Sequence, residues 1–234
     1  MNKNLVVITG VSQGLGRAML ERFSEYDNWI VAGCSRSEKE IIKLRTIFDQ
    51  RHDFEVVDVS NADSVLRWSE KLLERYNLAP NLLINNAGII NTAAPLWEIS
   101  PQEFDTVIKV NICGVANVIR AFVPGMIKHK KGILINMSSG WGREPAKNLA
   151  PYCASKFAVE GLTQSLALEL PKGLAAVALD PRESINTPML QKGVPEAVST
   201  SPTPAQWSKV AVPYILSIGE QDNGKSLTCP LVAQ

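Results

Sequence analysis

The sequence predicts an α/β fold, namely a doubly wound parallel sheet of seven strands with helices on both faces. Short runs of branched and other apolar residues alternate with helix-length amphipathic segments along the whole chain. Such an alternation is typical of parallel strands joined by helical crossovers. The strand-like runs are also continuously apolar, which indicates strands that are covered by helices on both sides.

The predicted elements follow one another in a regular order. The strand-like runs occupy residues 5–9, 29–34, 54–57, 82–85, 133–137, 175–179 and 226–229. The helix-length segments between them occupy residues 14–26, 38–50, 62–76, 101–129, 153–170 and 205–218. Because crossovers between parallel strands are right-handed, a ligand is expected at the carboxyl ends of the strands. The sequence shows neither an internal repeat nor a linker, so we predict a single domain over residues 1–234.

Charge and composition exclude several classes of function. The chain has 24 Lys and Arg against 23 Asp and Glu, a net charge of +1, and this balance argues against binding to nucleic acid or to an anionic membrane. The basic residues at 128–131 suit the negative end of a helix instead. No uninterrupted apolar run approaches the roughly 20 residues that span a bilayer, and no signal peptide precedes the first strand, so a cytoplasmic protein is expected.

The cysteine and histidine patterns bear on metal binding. The four cysteines are scattered, without a CxxC pair or a Cys/His cluster of ligand spacing. The two histidines, His52 and His129, are isolated as well. We therefore expect no metal site and no structural disulfide.

A glycine-rich segment connects the first strand to the first helix. It reads Thr9-Gly10-Val11-Ser12-Gln13-Gly14-Leu15-Gly16. Its three glycines permit a sharp turn, a close approach of a pyrophosphate to the backbone, and close packing of the helix on the strand. The free N–H groups and the dipole of the helix start then favour a phosphate. Between a buried strand and a helix, this segment predicts a dinucleotide-binding loop.

Five motifs in this chain resemble those of one enzyme family. The glycine spacing is G-x-x-x-G-x-G, Asn85-Asn86-Ala87-Gly88 follows the fourth strand, and Asn111 lies in the next helix. Ser138-Ser139 closes the fifth strand, and Tyr152-Cys153-Ala154-Ser155-Lys156 has the form YxxxK. In this order the motifs are similar to those of the short-chain dehydrogenase/reductase family. The resemblance covers nearly the whole chain and implies a Rossmann-type fold and an NAD(P)-dependent oxidoreductase.

The resemblance implies a catalytic set of four residues, which are Asn111, Ser139, Tyr152 and Lys156. Tyr152 and Lys156 are four apart at a helix start, so their side chains project from one face, and the ammonium is expected to lower the tyrosine pKa by about two units. By resemblance Tyr152 is the general acid, Ser139 steadies the carbonyl oxygen, and Lys156 also holds the nicotinamide ribose. Asn111 would anchor a water between the lysine and solvent. Ser138 remains an alternative to Ser139.

The end of the second strand selects between the two dinucleotides. It reads Gly33-Cys34-Ser35-Arg36-Ser37, without the acidic residue that binds the adenosine ribose of NAD. Arg36 offers a charged fork for a 2′-phosphate, with Ser35 beside it, so NADP(H) is the expected cofactor. The alternative is that Arg36 is a solvated residue at a helix start. By resemblance, the other cofactor-binding residues are Gly10, Ser12, Gln13, Gly14, Leu15, Gly16, Asp58, Val59, Asn86, Ala87, Gly88, Tyr152, Lys156, Ile185 and Thr187.

Within the family, the closest resemblance is to a group of NADPH-dependent pterin aldehyde reductases. It rests on residues 136–143, 150–156 and 222–228 and on the pair Trp97-Glu98. The implied reaction is the reduction of a carbonyl group, in an aldehyde or a ketone, of a small-molecule substrate. A pterin is a flat heteroaromatic on which Trp97 and Trp141 would stack. The alternative is that both tryptophans only pack against the loops.

Two other functions stay open at this point. One is an NADP-dependent dehydrogenase or reductase of an unrelated alcohol or carbonyl compound, such as a sugar, a steroid or an acyl thioester. The other is a dinucleotide-binding sensor with little turnover. The complete set of Asn, Ser, Tyr and Lys argues against the sensor, because binding alone does not require it.

One segment departs from the strand–helix alternation. Its prolines, at 181, 188, 195, 202 and 204, exclude a long regular helix or a central strand. A long connection on the ligand side of a sheet is typical of a lid, so we expect a substrate lid over residues 182–204, with a disordered surface segment as the alternative. Where the family has Pro-Gly after the sixth strand, this chain has Asp180-Pro181-Arg182-Glu183-Ser184, which leaves the roles of Ile185 and Thr187 open.

The resemblance also implies a homodimer or a homotetramer. Family members commonly assemble through the two helices that carry the Asn and Tyr motifs, here residues 101–129 and 153–170. The apolar residues Val118, Phe122, Phe157 and Leu166 would serve either such an interface or the core. Periodicity does not separate these two roles.

Overall fold

The computed structural model describes residues 3–232, and the seven strands of this part of the chain form one parallel sheet. The strands are β1 (Asn4–Thr9), β2 (Trp29–Ser35), β3 (Asp53–Val56), β4 (Leu82–Asn85), β5 (Gly132–Met137), β6 (Leu174–Asp180) and β7 (Ser226–Thr228). Their order across the sheet is β3-β2-β1-β4-β5-β6-β7. The winding reverses between β1 and β4, as in a doubly wound fold. The predicted fold class is confirmed.

Eight α-helices connect the strands within the described residues. They are α1 (Gly14–Ser24), α2 (Glu38–Ile47), α3 (Ala62–Tyr76), α4 (Pro101–Ile108), α5 (Gly114–His129), α6 (Ala150–Glu169), α7 (Pro188–Gly193) and α8 (Pro204–Ser217). Side-chain oxygens of Ser37, Asn61, Ser100 and Thr203 accept hydrogen bonds from first-turn N–H groups and fix the starts of α2, α3, α4 and α8. Helix α7 lies within the proline-rich segment and begins at Pro188, where a missing N–H loses no helical bond.

The middle of the predicted helix over residues 101–129 differs from a regular α-helix. A π-helical turn, Lys109–Cys113, joins α4 to α5. Such a turn accommodates one extra residue and is frequent at functional sites. Asn111 lies in this turn, so its side chain does not point where regular α-helical spacing would direct it.

Helices on both faces of the sheet bury alternate strand residues. Val6 and Ile8 of β1 pack in one cluster with residues of α1 and α8, among them Trp207. Leu5 and Val7 belong to a second cluster with residues of α3 and α5. Because both sets of strand residues are buried, the strands are apolar throughout instead of alternating.

The apolar residues proposed for an interface divide between core and surface. Val118, Phe122 and Leu166 are 0%, 1% and 9% exposed and therefore belong to the core. Phe157 of α6 is the one of the four on the surface, at 46% exposed. Leu168 of the same helix, which is not among the four, is 91% exposed. Both helices proposed for the interface therefore carry exposed apolar side chains, with Ile127 of α5 at 41%, and the homo-oligomer stays a prediction.

One helical stretch among the described residues, Pro101–His129, is long and apolar enough by length and composition to cross a membrane. Polar residues interrupt this stretch, so it contains no uninterrupted apolar run of that length. Half of its most apolar window is buried inside the protein. Core helices of globular proteins have the same character, so this stretch is weak evidence for a membrane span.

The turn between β1 and α1 packs tightly against the end of β4. A Cβ on Gly16 would overlap the carbonyl oxygen of Gly10 and the side-chain amide of Asn86. A Cβ on Gly10 would lie 2.9 Å from the Cα of Ala87. By contrast, a Cβ on Gly161, an exposed residue of α6, meets no described atom within 4 Å. The fold therefore excludes a side chain at Gly10 and Gly16 and tolerates one at Gly161.

We expect Gly16→Ala to lower the free energy of unfolding by about 1–3 kcal/mol, because its methyl group has to displace backbone atoms. Gly161→Ala is the matched control and should raise that free energy by about 0.5–1 kcal/mol, because alanine restricts the unfolded chain. Urea denaturation followed by circular dichroism measures both changes. A Gly16→Ala variant as stable as the wild type would contradict the close packing.

Candidate functional site

One large cavity lies at the carboxyl ends of the strands, where the fold predicts a ligand. Its volume is about 790 Å³, and the β1–α1 loop and the segments after β2, β4, β5 and β6 line it. Most residues predicted for the site line this cavity, namely Gly10, Ser12, Gln13, Gly14, Leu15, Ser35, Arg36, Asp58, Val59, Asn86, Ala87, Gly88, Ser139, Trp141, Tyr152, Lys156, Ile185 and Thr187. Gly16, Asn111 and Trp97 are not among the lining residues.

The β1–α1 loop has the geometry of a phosphate-binding loop. Gly10 and Gly14 have φ angles of +75° and +60°, in the region that favours glycine. Gln13, which precedes the first turn of α1, makes no capping hydrogen bond through its side chain with the described residues. The first turn itself carries no acidic residue. The N–H groups at this end therefore remain available to an anion, which the helix dipole also favours.

The segment after β4 holds this loop in place. Thr9 Oγ1 accepts hydrogen bonds from the backbone N–H groups of Asn86 at 3.0 Å and Ala87 at 2.9 Å. Asn86 Nδ2 donates in turn to the carbonyl oxygens of Thr9 at 2.9 Å and Gly10 at 3.2 Å. These bonds explain why the two motifs occur together. Sequence reasoning missed Thr9, although it directly precedes the first glycine.

Arg36 lies in the part of the cavity that follows β2. Its side chain is exposed and forms neither an ion pair nor a hydrogen bond with the described residues. Glu40, the nearby carboxylate of α2, is paired with a lysine of its own helix. Ser35 Oγ accepts a hydrogen bond from the backbone of Ser37 at 3.2 Å, and Asp58 Oδ1 accepts two bonds within its own loop. A guanidinium without a partner is thus available to a phosphate.

Ser139, Tyr152 and Lys156 meet at another part of the same cavity. Tyr152 and Lys156 lie on one face of α6, with the lysine Nζ 5.6 Å from the centroid of the tyrosine ring. Lys156 Nζ donates a hydrogen bond of 2.7 Å to the carbonyl oxygen of Met137, the last residue of β5. Ser139 follows β5 by two residues. Strand β5 and helix α6 therefore bring together a phenol, an amine and a hydroxyl.

Burial dominates the titration of both ionisable groups. It raises the pKa of Tyr152 to about 12, although a hydrogen bond with Ser139 acts in the opposite direction. Burial lowers the pKa of Lys156 to about 8, against the charge of Glu160. The predicted fall in the Tyr152 pKa is therefore wrong, because the cost of removing a phenolate from water exceeds the effect of the hydrogen bond with Ser139. Tyr152 consequently carries its proton at neutral pH.

Ser138 is engaged elsewhere and does not compete with Ser139. Ser138 Oγ donates a hydrogen bond of 2.6 Å to Glu160 Oε1. Arg143 Nε donates to the same oxygen at 3.1 Å, and Ser226 Oγ donates to Glu160 Oε2 at 2.6 Å. Glu160, one turn after the lysine, thus ties α6 to β5 and β7. Of the two serines, Ser139 is the one that lowers the pKa of Tyr152.

Asn111 lies behind the cavity and holds two of its walls together. Its Oδ1 accepts a hydrogen bond from the backbone N–H of Ile89, and its Nδ2 donates to the carbonyl oxygen of Ile89, both at 2.9 Å. Its Nδ2 also donates to Ser155 Oγ at 2.9 Å. The amide therefore fastens the segment after β4 to α6. Its predicted role as the anchor of a water stays a prediction.

The two tryptophans predicted to bind substrate have different positions. Trp141 lines the cavity and packs edge to face against Tyr152, with ring centroids 6.1 Å apart and planes at 84°. Ile90 and Met189 add apolar surface beside them. Trp97 is 86% exposed on a short surface turn and does not reach the cavity. The structure thus offers Trp141, and not Trp97, for stacking at this site, because spacing alone does not give the direction of a loop side chain.

The proline-rich segment forms one wall of the cavity through α7. Met189 and Val194 line it. Lys192 Nζ donates hydrogen bonds to the carbonyl oxygen of Ile90 at 3.0 Å and to Glu103 Oε1 at 3.2 Å. These bonds fasten α7 to the segment after β4. Opening and closing of a lid over residues 182–204 stays a prediction.

The segment that departs from the family pattern is tied to the C-terminal part of the chain. Arg182 has a φ of +80°, in the left-handed region that favours glycine. Its Nε donates a hydrogen bond of 2.6 Å to the carbonyl oxygen of Cys229. Glu183 Oε1 accepts a bond of 3.0 Å from a backbone N–H of the same C-terminal segment. Despite the departure, Ile185 and Thr187 reach the cavity.

Several residues that shape the site carry no signal in the sequence. Arg143, for example, bonds to Glu160 and to Thr228, which are 17 and 85 positions away. Asp180, a buried residue that lines the cavity, has only its place at a strand end as a signal. Contacts of this kind depend on the assembled sheet and not on a local pattern.

Comparison with known proteins supports the motif analysis. A family model described as short chain dehydrogenase matches residues 4–197. An NADPH-dependent pterin aldehyde reductase of Arabidopsis thaliana is 41% identical over 225 residues, which cover 95% of this chain and 92% of that protein. A 3-oxoacyl-acyl-carrier-protein reductase of Thermotoga maritima is 33% identical over 189 residues, 80% of this chain and 76% of that protein.

Solved structures give the same result. A 3-ketoacyl-(acyl-carrier-protein) reductase from Brucella melitensis, complexed with NADH, has a TM-score of 0.86 and 25% identity and covers 97% of this chain and 96% of its own. Levodione reductase has a TM-score of 0.83 at 25% identity, with the same coverage. Residues 4–197 include both the glycine loop and the YxxxK motif. This protein is therefore an oxidoreductase that belongs to the short-chain dehydrogenase/reductase family.

Proposed function

We propose that this protein reduces a carbonyl group, in an aldehyde or a ketone, to an alcohol by NADPH-dependent hydride transfer, with Tyr152 as general acid. One observation carries the proposal. Ser139, Tyr152 and Lys156 meet in the cavity that also contains the start of α1 and Arg36. The proton donor and the groups suited to the cofactor are thus parts of one site.

NADP(H) is the cofactor. The left-handed glycines and the uncapped start of α1 suit its pyrophosphate, and Arg36 suits its 2′-phosphate. The NADPH dependence of the Arabidopsis thaliana relative supports the same choice. When bound, NADPH supplies the hydride.

Tyr152 donates a proton to the carbonyl oxygen of the substrate. With its pKa raised to about 12 by burial, the phenol holds this proton until an acceptor binds. Proton donation by a positioned side chain is typically worth roughly 100- to 10,000-fold in rate. The Ser139 hydroxyl donates a hydrogen bond to the same oxygen and stabilises its developing charge.

Lys156 compensates the charge that forms on Tyr152. Below its pKa of about 8, the amine is an ammonium, and its Nζ lies 5.6 Å from the centroid of the phenol ring. A positive charge at this distance favours the phenolate left by proton donation. Lys156 also holds the ribose hydroxyls of the cofactor. Asn111 contributes by fixing α6, and with it Tyr152 and Lys156, to the segment after β4.

The substrate that the site suits best is a flat heteroaromatic aldehyde, such as a pterin aldehyde. The edge-to-face packing of Trp141 on Tyr152 leaves an aromatic surface beside the proton donor. The pterin aldehyde reductase of Arabidopsis thaliana, 41% identical to this chain, supports the choice. The second candidate is a 3-oxoacyl thioester, which the similarity to acyl-carrier-protein reductases favours.

Three further properties belong to this proposal. Residues 182–204 act as a substrate lid, with α7 as the part that contacts the substrate. The protein acts in the cytoplasm as a homodimer or a homotetramer. Exposed Phe157 and Leu168 of α6 supply the contact between copies.

Turnover of candidate substrates is the direct test. The absorbance of NADPH is followed with pterin-6-aldehyde, simple aromatic aldehydes, a sugar and a 3-oxoacyl thioester. We expect the fastest oxidation with pterin-6-aldehyde. Absence of turnover with every carbonyl compound would contradict the proposal and favour a dinucleotide-binding sensor.

We expect wild-type protein to bind NADPH much more tightly than NADH, and Arg36→Ala to reduce this preference by about 10- to 100-fold, because a charge-assisted bond to the 2′-phosphate is lost. Fluorescence titration with both dinucleotides measures the preference. Arg67→Ala, which removes an exposed arginine outside the cavity, is the matched control. Equal affinities in the wild type would exclude the role of Arg36.

We expect Tyr152→Phe to keep the affinity for NADPH and to lower kcat by roughly 100- to 10,000-fold, because only the proton donor is removed. Steady-state kinetics with the best aldehyde, together with NADPH titration, separate the two effects. Tyr214→Phe, on α8 outside the cavity, controls for loss of a phenol elsewhere. A fully active Tyr152→Phe protein would refute the role as general acid.

The charge state of Lys156 predicts a pH dependence of stability. Its pKa is about 8 in the folded protein against an ordinary 10.5, so the folded protein releases this proton first and stability rises with pH between these values. We expect Lys156→Met to remove a rise of up to about 3 kcal/mol. Urea denaturation at several pH values gives the free energy of unfolding of the variant and of the wild type. The titration of the other groups cancels in the difference between these two free energies.

Lys209→Met, at an exposed position of α8, is the control for this measurement and should keep the wild-type pH dependence. A Lys156→Met protein with the same rise as the wild type would show that the buried amine is not its source.

A further inference from the structure

Asp180, the last residue of β6, places a carboxylate in the cavity that the proposed mechanism does not use. Its side chain is 10% exposed, and the residue lines the cavity together with Ser139 and Tyr152. One oxygen, Oδ1, accepts a hydrogen bond of 3.0 Å from the backbone N–H of Arg182. Among residues 3–232, no N–H or O–H group donates to the other oxygen, Oδ2.

The two nearby arginines are held by other groups. Arg143 Nη1 forms a long ion pair with Asp180 Oδ2 at 3.9 Å, which is too far for a hydrogen bond. Its guanidinium donates instead to Glu160 Oε1 at 3.1 Å and to two oxygens of β7 at 2.7 Å each. Arg182 Nε donates to the carbonyl oxygen of Cys229. Neither guanidinium therefore provides Oδ2 with a hydrogen bond.

Oδ2 lies near the segment that carries the proton-transfer groups. It is 3.8 Å from the position that a Cβ on Gly140 would take, and Gly140 stands between Ser139 and Trp141. Tyr152 is within electrostatic range, because the charge of Asp180 adds to the effect of burial in raising the pKa of the phenol. The free carboxylate oxygen is thus in the part of the cavity where a carbonyl substrate meets its proton donor.

A carboxylate in this position prefers one kind of ligand group. Ionised carboxylates only accept hydrogen bonds, so N–H and O–H donors are favoured and further acceptors are disfavoured. A buried charge without a full set of donors is costly, and a ligand donor relieves that cost. The ligand that fits therefore carries a hydrogen-bond donor as well as its carbonyl group. In the flat heteroaromatic aldehyde proposed as substrate, that donor is an N–H group.

We propose that Asp180 Oδ2 accepts a hydrogen bond from an N–H group of the carbonyl substrate, and so selects heteroaromatic carbonyl compounds with amino or ring N–H groups. This inference rests on the proposed reduction of a carbonyl. The amide group of the nicotinamide is another source of an N–H donor. The experiment below separates the two sources.

The first arm of the test uses Asp180→Asn. The amide keeps an acceptor for the backbone of Arg182, and it then presents its own N–H₂ group where Oδ2 stood. The kcat/KM values of pterin-6-aldehyde and of naphthalene-2-carbaldehyde are compared; the second is a flat bicyclic aldehyde without N–H groups. We expect the ratio of the two values to fall by about 10- to 100-fold, the usual worth of a hydrogen bond to a charged group. Asp105→Asn, at an exposed position of α4, should leave the ratio unchanged.

Three outcomes of this arm would count against the proposal. Equal losses for both aldehydes would overturn it, because selection by N–H groups would be absent. A weaker affinity for NADPH with an unchanged ratio would overturn it in favour of the nicotinamide amide. If the wild type turns over no aldehyde, both the proposed function and this inference are overturned. If the wild type is active but Asp180→Asn leaves the ratio of kcat/KM values unchanged, only this inference is overturned.

A second arm needs no variant and stays informative when Asp180→Asn does not fold. The kcat/KM of the wild-type protein is measured for pterin-6-aldehyde and for a methylated analogue. The analogue carries one methyl group at N3 and two at the 2-amino group, so these nitrogens no longer have N–H donors. We expect kcat/KM to fall by about tenfold or more for the analogue. Equal values for the two aldehydes would overturn the proposal.

Discussion

The fold and the site both depend on how closely helix α1 approaches strands β1 and β4. Gly16 allows this approach, because a Cβ there would overlap atoms of Gly10 and Asn86. The same approach directs the start of α1 into the cavity and lets Asn86 bond to the carbonyl oxygens of Thr9 and Gly10. The close approach of α1 to β1 and β4 therefore contributes to the packing of the core. It also positions the start of α1 and the segment after β4 at the cavity.

Helix α6 imposes a second constraint on the reactive part of the cavity. Tyr152, Lys156 and Glu160 follow one another at intervals of four residues and so share one face. Lys156 donates a hydrogen bond to a backbone carbonyl oxygen of β5. Glu160 accepts hydrogen bonds from Ser138, which directly follows β5, and from Ser226 of β7. Strand β7 supplies none of the described lining residues, yet it fixes the helix that carries Tyr152 and Lys156. The C-terminal part of the chain is thus required for the site.

Features that depend on a few neighbouring residues could be predicted from the sequence. The glycine loop is of this kind, because its conformation is determined within one turn of the chain. The Tyr152–Lys156 pair is of this kind as well, because a spacing of four residues places both side chains on one face of a helix. Features that depend on assembled segments could not be predicted. Tertiary packing determines three such features. They are the π-helical turn around Asn111, the outward position of Trp97, and the hydrogen bonds of Glu160 to Ser138 and to Ser226 of β7. The direction of the Tyr152 pKa shift belongs with them, because burial is a property of the whole fold.

Burial acts on Tyr152 and Lys156 in opposite directions but with one consequence. It raises the pKa of the phenol to about 12 and lowers that of the amine to about 8, so each group alone favours its neutral form. A phenolate beside an ammonium is a different case, because each charge compensates the other where water cannot. In the proposed reaction, an ammonium on Lys156 would therefore favour the phenolate that Tyr152 leaves after donating its proton. The charge of Asp180 acts in the same direction as burial on the pKa of Tyr152, so both favour the protonated phenol.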